Sequence, residues 1–126
     1  MTTLDFRSSS LADLTKAVKA KEVSARELTQ HSLDRIQKLD PTYNAFVAVD
    51  AERALHEADG VDQRIADGHD PGPLGGIPLG VKDLQNAAGY VTTHGSVLHA
   101  DDPAAVTDDP FVARLRAAGR VWCRRG

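Results

Sequence analysis

The stretch Asp67-Gly68-His69-Asp70-Pro71-Gly72-Pro73 constrains this chain more than any other. Each proline lacks a backbone donor, and each glycine loses more conformational freedom on ordering than any other residue. No helix or strand interior runs through such a cluster, so it is a loop. It divides the chain into a helical amino-terminal half and a carboxyl-terminal half of strand and loop.

Before the loop, apolar residues recur at helical spacing. Leu11, Leu14, Ala17 and Val18 mark one buried stripe, behind Ser10 as N-cap and Asp13 at the capping-box position. Ser24 and Glu27 open a second helix with a cleaner capping box. Its face is Leu28, Ser32, Ile36 and Leu39, and Asp40-Pro41 is expected to end it. The apolar run Asn44 to Val49 reads as a strand or extended segment. Asp50 then caps a third helix, roughly Ala51 to Asp67, with Ala54, Leu55, Ala58, Val61 and Ile65 inward; Gly60 weakens its middle. These helices read as scaffold.

After the loop comes Gly75-Gly76-Ile77-Pro78-Leu79-Gly80-Val81-Lys82-Asp83, an apolar strand with a lysine at its far end. Alternation puts Ile77, Leu79 and Val81 on one face and Pro78, Gly80 and Lys82 on the other. Gly80 leaves Lys82's side of the strand clear for another group to approach. An ammonium drawn into such a place loses hydration, its pKa falls, and the neutral amine can serve as a base. The competing reading is a solvated lysine whose stem lies along the surface, or one paired with Asp83. Adjacent strand residues face opposite sides, which argues against that pair. Farther on, Asp109-Pro110 starts a helix with Phe111, Val112, Leu115 and Ala118 on its apolar face. Gly119 suits the left-handed residue that closes it. The alternation of helix and strand predicts an α/β architecture. An apolar strand should follow Gly119, but the residues there are Arg120-Val121-Trp122-Cys123-Arg124-Arg125-Gly126.

Composition excludes several classes of function. With 126 residues there is at most one domain, or a piece of a larger one; 41% hydrophobic and 26% charged residues are those of an ordinary globular protein. A net charge of −3 gives no sign of a polyanion partner. No apolar run of about 18 residues could span a bilayer, and the amino terminus lacks a signal-peptide pattern. The single cysteine, Cys123, excludes an internal disulfide and fits a reducing compartment, so a cytoplasmic location is expected.

Other candidates carry less chemistry. Ser96 lacks the G-x-S-x-G setting of a nucleophile and reads as a turn hydroxyl bonding the backbone. Thr92 and Thr93 read as β-formers or turn residues. His94 and His99 with Asp101 and Asp102 match no zinc spacing. His31, His56 and His69 fall on helix surfaces or in a loop. Cys123 beside Arg124 and Arg125 is read as incidental. The glycines from Gly72 to Gly76 lack the phosphate-binding G-x-x-x-x-G-K-[ST] order.

The segment PGPLGGIPLGVKDLQNAAGYVTTHGS, residues 71–96, resembles the lysine-bearing stretch of the amidase signature family. Its pattern is G-P-L-x-G-I-P-x-x-V-K-D followed by A-G-x-x-T-T-x-G-S. DDPFVARLRAAG resembles that family's next helix, and the likeness extends roughly from Leu11 to Gly119. The resemblance implies amino-terminal helices followed by the first strands of an amidase-type mixed sheet, truncated. It implies a Ser-cisSer-Lys hydrolase of small amide substrates, with Lys82 as the base and no cofactor or metal. Relatives include general amidases and the amidotransferase component that supplies ammonia for tRNA-bound glutamate and aspartate. In this family both serines lie well downstream of the lysine, and neither has a matching position here. Residues 1–119 are thus expected to be the amino-terminal part of an amidase domain. Residues 120–126 are expected to be a tail outside the family pattern, as a frameshift or early stop would leave. The chain alone is expected to be inactive, or to dock on a complementing amidase fragment as a binding or regulatory piece, without direct contact to nucleic acid or membrane. A small α/β interaction domain is the remaining alternative.

Overall fold

The structure, a computed structural model, describes residue 5 and residues 8–125, and side chains as far as Val121. It is predominantly helical. Helices α1 (Leu11–Lys19), α2 (Ala25–Tyr43) and α3 (Ala51–Ala66) come first, with the short strand β1 (Ala48–Val49) between the last two. Strand β2 (Pro78–Val81), a 3-10 turn at Val97–His99, helix α4 (Pro110–Ala117) and strand β3 (Val121–Arg125) follow.

The helix starts are set by side chains that satisfy the first backbone donors. Ser10 Oγ accepts from Asp13 N at 3.0 Å and Asp13 answers by accepting from Ser10 N at 3.2 Å, a complete capping box. At α2 only half of the expected box forms, with Glu27 N donating to Ser24 Oγ at 2.9 Å. A carboxylate from another helix does the rest: Asp62 on α3 accepts from Ala25 N at 2.8 Å and Arg26 N at 3.1 Å. Its charge also suits the positive end of α2. Asp50 caps α3 through Arg53 N, as its position before an apolar stripe predicts.

Two expectations fail at the far end of α2. The helix does not stop at Asp40-Pro41 but continues through Pro41 to Tyr43. A proline this close to the end removes a single internal bond, and Asn44 closes the helix in the left-handed conformation, donating to Asp40 O at 2.6 Å. The extended segment expected over Asn44 to Val49 shrinks to two paired residues, because Asp40 Oδ1 holds Ala45 N and Phe46 N in a turn.

Leu14, Val18, Val23, Leu28, Leu33, Ala54, Ala58 and Val61 form the main core together with Ile77 and Val121. Ala54 and Ala58, one turn apart on α3, bring its backbone close to α2. A second cluster of Val81, Ala87, Tyr90 and Val112 lies under the loop after β2. Of α4's expected apolar face, Val112 is buried but Phe111 is exposed.

The strands form one mixed sheet in the order β1-β3-β2. Here β3 runs parallel to β2, with Pro78 opposite Val121, and antiparallel to β1, with Val49 opposite Arg124. Its sequence lacks the apolar run that a central strand usually shows, yet it takes the middle place. Its start is set by two glycine turns packed back to back. Leu74 N donates to Ala118 O, Gly76 N to Gly119 O and Val121 N to Ile77 O, which aligns the two strand starts. Gly76 has φ +83, and a Cβ there would lie 2.9 Å from that of Ala25; Gly119 has φ +97, and a Cβ there would lie 2.8 Å from Gly75 Cα. Both positions require glycine.

Candidate functional site

Lys82 follows directly on the end of β2, where the chain leaves the sheet for the loop of residues 83–93. As alternation predicts, Lys82 and Asp83 face opposite ways: Lys82 is exposed and Asp83 is buried. The Asp83 carboxylate accepts from Thr93 N at 2.8 Å and from the Thr93 hydroxyl. His94 N donates to Asp83 O, and Gln85 N to Lys82 O. Backbone and side chain thus fix the turn from which Lys82 projects.

The desolvation expected of Lys82 is absent. Gly80 does clear its side of the strand, but the Phe46 ring fills that space, 3.4 Å from where a Cβ would stand. Among the described residues nothing covers Lys82 itself. Beside β2 the surface opens into a groove of about 460 Å³ between the end of α2, Phe46 and the strand.

A charged network, unseen in the sequence, ties the loop after Lys82 to α3 and α4. Arg116 Nε donates to Asp108 Oδ2 at 2.8 Å and its Nη1 to Glu57 Oε1 at 3.2 Å. Asp108 Oδ1 accepts from Ala88 N at 2.7 Å, and Arg53 Nη2 donates to Ala88 O at 2.8 Å. Arg53 also lies over the Tyr90 ring, 4.6 Å from its centre. Burial pushes the Asp108 carboxyl up, but the Arg116 hydrogen bond, the Ala88 amide and the nearby guanidinium charges outweigh it and hold the group below its ordinary value. Burial likewise pulls the Arg116 guanidinium down, and its bonds to Asp108 and the charge of Glu57 raise it overall. Asp109 accepts from Asn86 N at 2.8 Å and so pins the loop rather than capping α4. The isolated signs of Arg53, Glu57, Asp108 and Arg116 gave no sequence cue, except that Arg53 and Glu57 stand one helical turn apart.

The remaining candidates sort themselves by contact. Ser96 Oγ accepts from Leu98 N at 3.2 Å, the turn role expected of it. Thr92 is buried and donates to Asn86 Oδ1 at 2.7 Å, so both threonines are pins of the loop. The His94 and His99 rings meet edge to face at 5.4 Å, and His99 Nδ1 lies 2.8 Å from Asp102 Oδ2. Among the described residues no three metal-binding side chains converge. His31, His56 and His69 are exposed. The Cys123 side chain lies outside the described residues, and no described helix is long and apolar enough to cross a membrane.

The chain is similar to known proteins. The Amidase family model matches residues 27–123, which takes in Lys82, the loop network and the start of β3. A glutamyl-tRNA(Gln) amidotransferase subunit of Salinispora tropica is 46% identical over 117 residues, 93% of this chain and 24% of that protein. The corresponding protein of Bdellovibrio bacteriovorus is 39% identical over 94% of this chain and 24% of its own length. The native peptide amidase of Stenotrophomonas maltophilia superposes with a TM-score of 0.87 at 36% identity, covering 95% of this chain and 25% of its own. The chain therefore spans about a quarter of the length of the relatives it matches, and it belongs to the amidase family.

Proposed function

We propose that Lys82 is the base end of a Ser-cisSer-Lys triad and that this chain supplies the lysine-bearing part of an amide hydrolase. The observation that supports this most directly is the placement of Lys82. It projects from the end of β2 on a turn that Asp83 and Thr93 lock from the opposite face. A base must be held in one place yet remain open to its partner.

In this reading neutral Lys82 takes a proton from a serine held in a cis peptide. That serine takes the proton of the nucleophilic serine, whose oxygen attacks the amide carbonyl. The C–N bond breaks, ammonia or an amine leaves with a proton, and water hydrolyses the acyl-enzyme. Neither serine has a matching position in residues 1–126, and the proposal assigns only the lysine to them.

The test is to join the chain to the remaining length of the Salinispora tropica relative and measure amide hydrolysis. Activity that Lys82→Ala abolishes supports the proposal; undiminished turnover refutes it. A second reading is favoured by the relatives' identity: the chain is part of an amidotransferase component rather than of a free-standing amidase. Glutamine-dependent ammonia transfer to a glutamyl-tRNA acceptor, with little hydrolysis of simple amides, would distinguish the two.

A further inference from the structure

We infer that Thr93 is a positioning residue for the base: acting through the buried Asp83 carboxylate, its hydroxyl and amide fix the direction in which Lys82 leaves the end of β2. The inference rests on the function proposed above and adds to it a residue that need not touch substrate.

The hold on Asp83 is two-pronged. Asp83 Oδ1 accepts from Thr93 N at 2.8 Å and Oδ2 accepts from the Thr93 hydroxyl, so one residue engages both carboxylate oxygens across ten positions of sequence. A β-branched side chain is stiff at χ1, so the hydroxyl and the amide of Thr93 stand at a nearly fixed separation. Asp83 is 7% exposed. Hydrogen bonds to an ionised acceptor are strong there, because water competes little for it.

Neighbouring bonds carry this grip to Lys82. His94 N donates to Asp83 O at 3.1 Å, and Gln85 N to Lys82 O at 3.1 Å. The carbonyls of Lys82 and Asp83 and the Asp83 side chain are thus all held, from residues 85, 93 and 94. The peptide that joins the two residues cannot turn without breaking one of these bonds. Successive side chains of an extended chain face opposite ways, so holding Asp83 inward holds Lys82 outward. Lysine carries its amine at the end of a four-carbon stem, so a tilt of roughly 10° at Cα moves Nζ by about 1 Å, a misplacement that can cost about 100-fold in rate.

The rest of the loop has attachments of its own. Asn86 N donates to Asp109 Oδ2 and Asp109 N to Asn86 O, while Ala88 N donates to Asp108 Oδ1 and Gly89 N to Ala105 O. Ala87 and Tyr90 are buried with Val81 and Val112. Thr92 belongs with these contacts, since its hydroxyl donates to Asn86 Oδ1 at 2.7 Å. Two adjacent threonines therefore divide the work. Thr92 holds the loop together, and Thr93 aims the lysine.

The experiment measures amide hydrolysis by the chain joined to the remaining length of the Salinispora tropica relative, and backbone NMR relaxation of the full chain alone. Thr93→Val keeps the size and the amide of Thr93 but deletes its hydroxyl. It should lower kcat at least about 10-fold with KM within about 2-fold, and the Lys82 and Asp83 amides should gain mobility. Thr93→Ser returns the hydroxyl and should restore kcat to within about 3-fold of wild type. Thr92→Val should lower the melting temperature but leave kcat within about 3-fold. The positioning role is overturned by wild-type kcat in Thr93→Val, by an equal loss in Thr93→Ser, or by an equal loss in Thr92→Val. It is also overturned if Thr93→Val does not fold, since the hydroxyl would then hold the structure rather than aim the amine. Wild-type kcat in Thr93→Val beside lost hydrolysis in Lys82→Ala refutes the positioning role and spares the function. Full activity of Lys82→Ala refutes the function, and the mobility of the Lys82 amide in Thr93→Val then decides whether Thr93 fixes that residue's direction.

Discussion

Arg116→Met removes the centre of the network that holds the loop after Lys82, and its cost follows from the contacts. The substitution deletes two bonds to Asp108, at 2.8 and 3.4 Å, and one to Glu57 at 3.2 Å. The side chains of Arg116, Asp108 and Glu57 are 32%, 13% and 21% exposed. A solvated pair contributes about 0–1 kcal/mol, whereas losing one partner of a fully buried pair costs about 3–5 kcal/mol. This network lies between, and Asp108 keeps its bond from Ala88 N, so a loss of about 2–3 kcal/mol is expected. Urea unfolding of the wild type, Arg116→Met, Asp108→Asn and the double variant measures it. The double-mutant cycle should return a coupling of at least about 1 kcal/mol. Exchange of the Ala88 amide should quicken in both single variants. A cost below about 0.5 kcal/mol, or a coupling near zero, would refute the claim that this network anchors the loop.

The Asp108 carboxyl sits below the value of about 3.9 that it has in an unfolded chain. Its contribution to stability is therefore complete above about pH 5 and is lost as the pH falls through 4 and below. Asp108→Asn should flatten that acid limb of the stability profile; an unchanged limb would assign it to other groups. Gly119→Ala meets both a φ of +97 and a Cβ 2.8 Å from Gly75 Cα, so a loss of about 3 kcal/mol or more is expected by thermal unfolding. Asp62→Ala strips two amide bonds from the start of α2 and should cost about 1–2 kcal/mol by the same measurement. Lys82→Ala, at an exposed position, should change stability by less than about 0.5 kcal/mol; a larger loss would mean that Lys82 holds the fold.

Local chemistry was legible in the sequence wherever it is decided by neighbours in the chain. Ser10 with Asp13, Asp50 before α3, Gly119 after α4 and the alternation that parts Lys82 from Asp83 all depend on spacing, and all formed as the spacing predicts. The failures come from partners distant in sequence. Asp62 caps a helix 37 positions away, so α2's second cap could not be seen beside Ser24. The start of β3 is aligned by backbone bonds between two glycine turns, which no pattern within its own sequence announces. Phe111 lies on the periodic face of α4 but stays outside the core, which ends there at Val112 and Leu115. Lys82 was recognisable by its motif, while its hydration is a property of what packs over it.

The central claim concerns the chemical role of Lys82, and two substitutions in the protein joined to the remaining length of the Salinispora tropica relative test it most directly. Lys82→Ala removes the amine, and Lys82→Arg keeps the positive charge but cannot release a proton near neutral pH. If Lys82 is the base, both should lower ammonia release by at least about 1,000-fold, with β2 and its loop unchanged by hydrogen exchange. Activity retained by Lys82→Arg would show that only a charge is needed there, and activity retained by Lys82→Ala would remove Lys82 from the mechanism altogether.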